Sequence, residues 1–256
     1  MEKIMDRYAR QTNYRNLGEE GQKKLLSSRV AVVGAGALGC VSSNELVRAG
    51  VGFVRIIDGD TVDITNLHRQ ILYTEKDVSD GNPKVFAAAK FLREANSDVT
   101  VDAVAEKLVP ENAEDLLSDV DLVIDATDSM DARYLINEYC IEHKKPWIYG
   151  GAIAAEGMTA VFLPDGPCFS CFTGAVQKEK DAPDRSCRSF GVLNTLTAIV
   201  SSLEVMEAIK ILTGADTVRR DMLFFEIWDN ECELLPMEKN PDCPICGKHE
   251  YRYLKK

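Results

Sequence analysis

A glycine-rich turn followed by charged side chains is the strongest chemical signal in this sequence. Four residues of the turn are candidate phosphate contacts: Gly34, Gly36, Ala37 and Gly39. Glycines permit a tight turn and a close backbone approach to phosphate, and the N-terminus of the following helix attracts the anion. Asp58 ends the next apolar run, at the spacing typical of an acidic residue that binds a ribose hydroxyl. The alternative is a tight strand-to-helix turn that binds no ligand.

Polar residues after Asp58 stand where they could neutralise a polyphosphate. They are Asn66, Arg69 and Lys84. The planar guanidinium of Arg69 matches paired phosphate oxygens, and Asn66 would share its face if the segment is a helical turn. A hydride-transfer enzyme needs no such set, whereas phosphate transfer needs cations where negative charge accumulates. For Lys84, the competing interpretation is an ordinary exposed lysine at the start of a helix.

The segment Asp125-Ala-Thr-Asp-Ser129 suggests a divalent-cation site beside the phosphates. Two carboxylates near one strand end suit Mg²⁺, which prefers oxygen ligands and can bridge to phosphate. The alternative for Asp128 is a helix N-cap, a role that Asp and Ser both fill. If Ser129 is the cap, Asp128 stays free for the cation.

Two Cys-x-x-Cys pairs form the second strong signal, Cys168 with Cys171 and Cys243 with Cys246. Four thiolates in two such pairs form a closed tetrahedral zinc site that leaves no position for water or substrate. We therefore predict a structural zinc that holds the C-terminal region against the body of the fold. A redox dithiol, which needs only one pair, and four unrelated buried cysteines are the alternatives.

Two further residues carry functional hypotheses beside plain alternatives. Cys187 lies in Arg185-Ser-Cys-Arg188, where the flanking guanidinium groups favour its thiolate; an ordinary loop cysteine is the alternative. Arg10 precedes the first predicted strand and cannot easily reach the strand ends of its own chain. It could reach those of a dimer partner and stabilise developing phosphate charge, whereas the simpler interpretation is a solvated basic segment.

Alternating apolar runs and helical segments must position these residues. Strands are predicted at 30–33, 53–58, 99–104, 122–126 and 147–150, and helices at 37–49, 85–94, 111–117 and 132–144. This alternation indicates an α/β fold with a mainly parallel, doubly wound sheet, whose ligands bind at the carboxyl ends of the strands. Strands at 158–163 and 222–228, around a long helix at 193–212, should extend the sheet in antiparallel fashion. The polar segment 173–188 is a candidate loop near the active site.

Length and charge limit the function classes. The 256 residues, 45% of them hydrophobic, can form one large core, and we expect one main domain. The net charge of −11 and the lack of a basic tract disfavour extended contact with nucleic acid. Because no apolar signal segment follows Met1 and no run approaches the roughly 20 apolar residues of a membrane span, we expect a cytoplasmic protein outside the membrane.

Together these motifs resemble the ThiF/MoeB/HesA family, prokaryotic relatives of ubiquitin-activating enzymes. The resemblance extends from Arg7 to Cys246 and includes Asp58-Gly-Asp60 and Asn66-Leu-His-Arg-Gln70. The sequence departs from the family at Ala37, where Gly is frequent, and at His68, where Gln is frequent. The resemblance implies a single Rossmann-like adenylation domain: a helical arm (1–28), a nucleotide-binding half (29–150), and a carrier-side half with a crossover loop and a zinc knuckle (151–256).

The function implied by the resemblance is ATP-dependent adenylation of the C-terminal glycine of a ubiquitin-like sulfur carrier with a Gly-Gly end. Such carriers serve thiamine or molybdopterin biosynthesis, and a separate protein is expected to donate the sulfur. By position, Asp58 would hold the ribose and Asp128 the Mg²⁺, and Arg10 would come from the second subunit of a homodimer. Asn66, Arg69 and Lys84 would hold the phosphates, with Asp60 and Ser129 as further nucleotide contacts. Cys187 falls where some members form a covalent link to the carrier.

Three alternatives remain open at this point. An enzyme like the tRNA threonylcarbamoyladenosine dehydratase also adenylates its substrate, although the acidic balance counts against a tRNA ligand. An NAD-dependent oxidoreductase shares the glycine turn but leaves Arg69, Lys84 and the cysteine pairs unexplained. A non-catalytic partner subunit could keep the fold without the reaction.

Overall fold

The computed structural model describes residues 2–173 and 190–254, whose strands form one eight-stranded sheet. The strands are β1 (Arg29–Val33), β2 (Phe53–Ile57), β3 (Thr100–Val104), β4 (Leu122–Asp125), β5 (Trp147–Ile153), β6 (Glu156–Phe162), β7 (Met222–Glu226) and β8 (Glu231–Leu235). Their order across the sheet is β3-β2-β1-β4-β5-β6-β7-β8.

The sheet is parallel from β3 to β5 and antiparallel from β5 to β8. This confirms the predicted mainly parallel sheet with an antiparallel C-terminal extension. Strand β5 extends to Ile153, three residues beyond its predicted end, because residues 147–153 all pair with β6. Strand β8 was not predicted; its first four residues, from Glu231, are exposed and show no alternation of buried and exposed positions.

Helices cover both faces of the sheet. They are α1 (Glu2–Arg7), α2 (Ala9–Thr12), α3 (Gly18–Ser27), α4 (Ala37–Ala49), α5 (Glu75–Ser79), α6 (Lys84–Ala95), α7 (Ala113–Leu117), α8 (Met130–Glu142), α9 (Phe169–Thr173) and α10 (Asn194–Thr213). Successive residues of β1 face opposite layers: Val30 and Val32 pack into one hydrophobic cluster, and Ala31 and Val33 into the other. The sheet is therefore doubly wound, as predicted.

The longest helix described, α10, packs along α4, β5 and β6. Its 20 residues are mainly apolar, but Glu204 and Glu207 lie on its buried face. No helix in the described ranges is long and apolar enough to cross a membrane. The charged motifs lie at the carboxyl ends of the parallel strands, where ligands bind in sheets of this kind.

Candidate functional site

The glycine turn between β1 and α4 has two positions at which only glycine fits. Gly34 has φ +102°, and a Cβ there would lie 2.5 Å from the carbonyl oxygen of Ala126. A Cβ on Gly39 would collide with the carbonyl oxygen of Gly34. At Gly36 the nearest atom would be the Gln70 side-chain nitrogen, 3.9 Å away, so space is open beside the turn. The fold thus requires Gly34 and Gly39, whereas Gly36 leaves room for a ligand.

Asp58 connects this turn to the end of β2. Its carboxylate accepts hydrogen bonds from the backbone N–H of Ala35 at 2.7 Å and of Asp60 at 2.8 Å. The Lys84 ammonium lies 4.0 Å from Asp58 and 3.1 Å from Asp60. Lys84 is 7% exposed, so the description of an ordinary exposed helix lysine does not apply to it. Asp58, Asp60 and Lys84 form one charged group at the strand end.

The two acids after β4 have different environments. Asp125 is fully buried and pairs with the Arg133 guanidinium of α8 at 2.7 Å. Burial raises the pKa of Asp125, and the adjacent Arg133 opposes that rise. Ser129 caps α8 by accepting from the Ala132 N–H at 3.3 Å, which leaves Asp128 exposed and outside the cap. Asp125 is therefore engaged with an arginine, and Asp128 is the acid available to a cation.

Arg133 was not predicted as part of the site, although its position in the helical pattern of α8 indicates that it is buried. The buried stripe of α8 includes Arg133, Ile136, Asn137 and Cys140, which follow helical spacing. A charged residue on such a stripe indicates a buried partner, because an unpaired buried charge is costly.

Asn66 ends the short 3₁₀ segment Ile64–Asn66, and Arg69 lies in the turn that follows it. The Arg69 guanidinium donates to the carbonyl oxygen of Thr65 at 2.9 Å and contacts the His68 ring at 2.8 Å. Gln70 is 3% exposed, and its side-chain oxygen has no hydrogen-bond partner among the described residues. The backbone N–H groups of Arg69 and Gln70 both donate to the Asn66 carbonyl oxygen, so the segment forms a tight turn, and the Arg69 side chain is held within it.

A cavity of ≈ 350 Å³ opens beside the glycine turn; we call it the nucleotide cavity. Its polar lining includes Asp58, Asp60, Thr127, Asp128 and Ser129. Its apolar lining includes Leu108, Val109, Pro110, Leu135 and Tyr253. Of these polar residues, the sequence had predicted all but Thr127 as site residues, whereas the predicted phosphate contacts Asn66, Arg69 and Lys84 do not line the cavity. The apolar group had not been predicted, because residues from three distant segments meet there.

The four cysteines of the two pairs come together; we call them the cysteine cluster. Their Sγ atoms all lie within 4.8 Å of one another. The contacts are 3.8 Å (Cys168 to Cys171), 3.7 Å (Cys168 to Cys243) and 3.3 Å (Cys171 to Cys246). A tetrahedral zinc with Zn–S bonds of about 2.3 Å would place its sulfur ligands about 3.8 Å apart. The cluster therefore fits a zinc ion held by four sulfurs.

The two remaining candidates lie outside this geometry. Arg10 is exposed on α2, and its neighbour Gln11 donates to the carbonyl oxygen of Ala49 at the far end of α4. Because α4 begins at the glycine turn and 12 helical steps span about 18 Å, Arg10 is distant from the turn of its own chain. Cys187 lies outside the described residues.

A buried carboxyl lies beside β5. Glu204 of α10 is fully buried, next to Gly150, where an added Cβ would collide with its carboxyl oxygen. Ser42 donates to one oxygen at 3.4 Å, while the other oxygen has no hydrogen-bond partner in the described ranges. Burial raises the pKa of Glu204 well above its usual value, and the negative charge of Asp125 adds to the rise.

The doubly wound sheet, the glycine turn and the carboxylates at the strand ends define a nucleotide-binding protein of the α/β class. More specifically, the chain belongs to the ThiF family, whose model matches residues 8–245. The resemblance noted from the sequence is thereby confirmed.

The chain is similar over most of its length to two proteins of known name. It is 37% identical to the SAMP-activating enzyme E1 of Haloferax volcanii, over 95% of this chain and 89% of the relative. It is 38% identical to the sulfur carrier protein adenylyltransferase of Thermus thermophilus, over 95% of this chain and 91% of the relative. Among solved structures, E. coli MccB with ATP matches with a TM-score of 0.82 at 23% identity, over 94% of this chain and 74% of MccB. That structural match shows a shared fold.

Proposed function

We propose that this protein is an ATP-dependent adenylyltransferase acting on the C-terminal glycine carboxylate of a ubiquitin-like sulfur carrier protein. The observation that carries the proposal is the charged group of Asp58, Asp60 and Lys84, in which Asp58 is hydrogen-bonded to the glycine turn and both acids line the nucleotide cavity. The relatives from Thermus thermophilus and Bacillus subtilis, named as adenylyltransferases of sulfur carrier proteins, support the substrate class.

The reaction joins two anions. A carboxylate oxygen of the carrier attacks the α-phosphorus of ATP, the bond to the bridging oxygen breaks, and pyrophosphate leaves. The product is a mixed anhydride between the glycine carboxyl and AMP. Positive groups must stabilise the charge that develops on the phosphates. Lys84 lies beside Asp58 and Asp60, and Arg69 would reach the phosphates by exchanging its contacts to Thr65 and His68 for phosphate oxygens.

In this proposal Asp58 binds the ribose, and Asp60 and Ser129 are further nucleotide contacts. Asp128 would hold Mg²⁺, because it is exposed to the nucleotide cavity and neither caps α8 nor pairs with Arg133. A bound Mg²⁺ would neutralise phosphate charge. Asp125 does not join it, because its carboxylate is buried against Arg133.

The partners follow from the same proposal. The carrier ends in Gly-Gly, belongs to a thiamine-type or molybdopterin-type pathway, and receives sulfur from a separate donor protein. A homodimer would let Arg10 reach the partner's nucleotide cavity, since it is distant from its own. The cysteine cluster holds a structural zinc away from the chemistry. Cys187 is proposed to act after adenylation, as a covalent link to the carrier.

The test is ATP–pyrophosphate exchange, measured with purified Gly-Gly carrier proteins added one at a time. Exchange should depend on a carrier, and Asp128→Ala or Arg69→Ala should lower it by about 10²–10³, as for loss of one preorganised charge-stabilising group. Glu94→Ala, which removes an exposed acid near the end of α6, is the matched control and should keep full exchange. Cys187→Ala should also keep it.

Thermal unfolding of each variant checks that the fold is intact. Carrier-dependent exchange that survives in both Asp128→Ala and Arg69→Ala would contradict the assigned roles. Exchange with none of the carriers, despite ATP binding, would contradict the proposed substrate class.

A further inference from the structure

The segment that follows the second cysteine pair is attached to α8 by one buried carboxylate. Glu138 is 1% exposed. It accepts hydrogen bonds from three successive backbone N–H groups, those of Arg252 (2.9 Å), Tyr253 (2.7 Å) and Leu254 (2.9 Å). A carboxylate that accepts several N–H bonds away from water holds its donors strongly. The backbone at Tyr253 is therefore fixed relative to α8.

The Tyr253 side chain is fixed as well. Its ring stacks on Tyr134 of α8 with centroids 5.1 Å apart and planes 18° apart. Tyr134 in turn meets the edge of Phe169 at 5.5 Å. Phe169 follows Cys168 directly, and Tyr253 lies seven residues after Cys246. Tyr134 thus contacts one ring from the segment of each cysteine pair.

This arrangement places Tyr253 in the wall of the nucleotide cavity. Leu108, Val109, Pro110 and Leu135 line the same cavity, whereas Asp58 and Gly34 line its polar part. A nucleotide has one flat, weakly polar end, the base, and one charged end, the phosphates. The polar part beside the glycine turn suits the phosphates and ribose, so the apolar part with its aromatic ring suits the base.

We propose that Tyr253 forms a wall of the adenine subsite and that Glu138 is its positioning residue. The inference rests on the proposed function, because it requires the nucleotide cavity to bind ATP. Tyr253 contacts the base and not the reacting phosphorus. Its loss should therefore raise the KM for ATP and leave kcat nearly unchanged.

The experiment is calorimetric ATP binding to the full chain without a carrier. Tyr253→Ala should raise the Kd for ATP about 10-fold, the scale of one base–aromatic stacking contact, and Tyr253→Phe should restore wild-type affinity. Tyr14→Ala is the matched control, because Tyr14 is a tyrosine with 61% of its surface exposed. Its Kd should equal that of the wild type.

Glu138→Gln tests the positioning role. An amide removes the negative charge from the three N–H donors, so the Kd for ATP should rise, and Glu138→Gln in the Tyr253→Ala background should add nothing further. Should Tyr253→Ala fold poorly, Tyr253→Trp provides a second measurement, because stacking of adenine should change the emission of the added indole when ATP is bound.

The outcomes separate the inference from the proposed function. If the wild type binds ATP and Tyr253→Ala binds it equally well, or the Tyr253→Trp emission does not respond to ATP, the inference is overturned and the proposed function stands. If the wild type binds no ATP, both are overturned. A rise in Kd that is additive between Tyr253→Ala and Glu138→Gln would overturn the positioning role alone.

Discussion

The nucleotide cavity and the cysteine cluster use charged or ionisable groups in opposite ways. Around the cavity, two backbone N–H groups hold Asp58, and Asp58 and Asp60 hold Lys84, while Asp128 remains exposed. In the cluster, the four sulfurs face one another and Cys168 and Cys243 are almost fully buried. The first region is open to a ligand, and the second has the closed geometry of a structural metal site.

The difference shows how one fold separates chemistry from stability. Groups that contact a ligand bind it more tightly when their positions are fixed before the ligand arrives. Asp58 has such a position, because two backbone N–H groups hold its carboxylate. Four thiolates, by contrast, repel one another until a cation neutralises them, so a zinc bound in the cluster would stabilise the fold.

The largest effect is expected from breaking the cysteine cluster. Cys243→Ser should abolish stoichiometric zinc binding and lower the free energy of unfolding by about 5 kcal/mol, because loss of a structural metal is among the most destabilising single changes. For a chain of this size that corresponds to about 10–20 °C in Tm. Mass spectrometry measures the zinc content, and calorimetry measures Tm.

Cys232→Ser is the matched control, because Cys232 is exposed in β8 and outside the cluster. This variant should bind as much zinc as the wild type and have the same Tm. If removal of zinc from the wild type by a chelator left Tm unchanged, the cluster would not be a structural metal site.

A second prediction concerns the buried ion pair beneath the nucleotide cavity. Arg133→Ala should cost about 3–5 kcal/mol, because it leaves the Asp125 carboxylate buried without its counter-ion. Arg48→Ala, at an exposed arginine of α4, should be nearly neutral. Urea unfolding of the variants provides the free energies.

The pair can also be removed as a unit. Asp125→Ala with Arg133→Leu should recover part of the loss, since a buried pair replaced by apolar groups is often tolerated. If Arg133→Ala retains wild-type stability, then loss of Arg133 does not leave Asp125 as an unpaired buried charge. Asp125 would then return as a candidate ligand of Mg²⁺.

The two regions also differ in how far sequence could predict them. Each cysteine pair is local, so its spacing alone indicated the cluster. The rule that ligands bind at the carboxyl ends of parallel strands predicted that Asp58 and Asp128 lie near each other, and both line the nucleotide cavity. The contact of Lys84 with Asp60 spans 24 positions, and the position of Tyr253 depends on Glu138, 115 positions earlier in the chain. Such contacts depend on how α6 and α8 pack, which no local pattern encodes.

The smallest effect is expected at Glu204, the fully buried carboxyl beside β5. Its pKa is raised by burial, so the folded protein holds this proton more tightly than the unfolded chain. Stability should therefore fall as the pH rises above about 4.3, the pKa of an exposed glutamate. Glu204→Gln keeps the shape and removes the ionisation, and it should raise stability near pH 8 by about 1 kcal/mol, or about 2–4 °C in Tm.

Calorimetric Tm values of wild type and Glu204→Gln between pH 4 and pH 8 test this, with the difference expected to shrink toward the acidic end. Glu207→Gln is the control on the same helix. Glu207 is also buried, but its carboxylate accepts from Lys210 at 2.7 Å and from the Arg219 N–H at 2.9 Å. Removing that charge should therefore lower Tm, because two charge-assisted hydrogen bonds are weakened. If Glu204→Gln instead lowered Tm near pH 8, the buried carboxyl would be ionised and paired. Both glutamates of α10 would then stabilise the fold as anions.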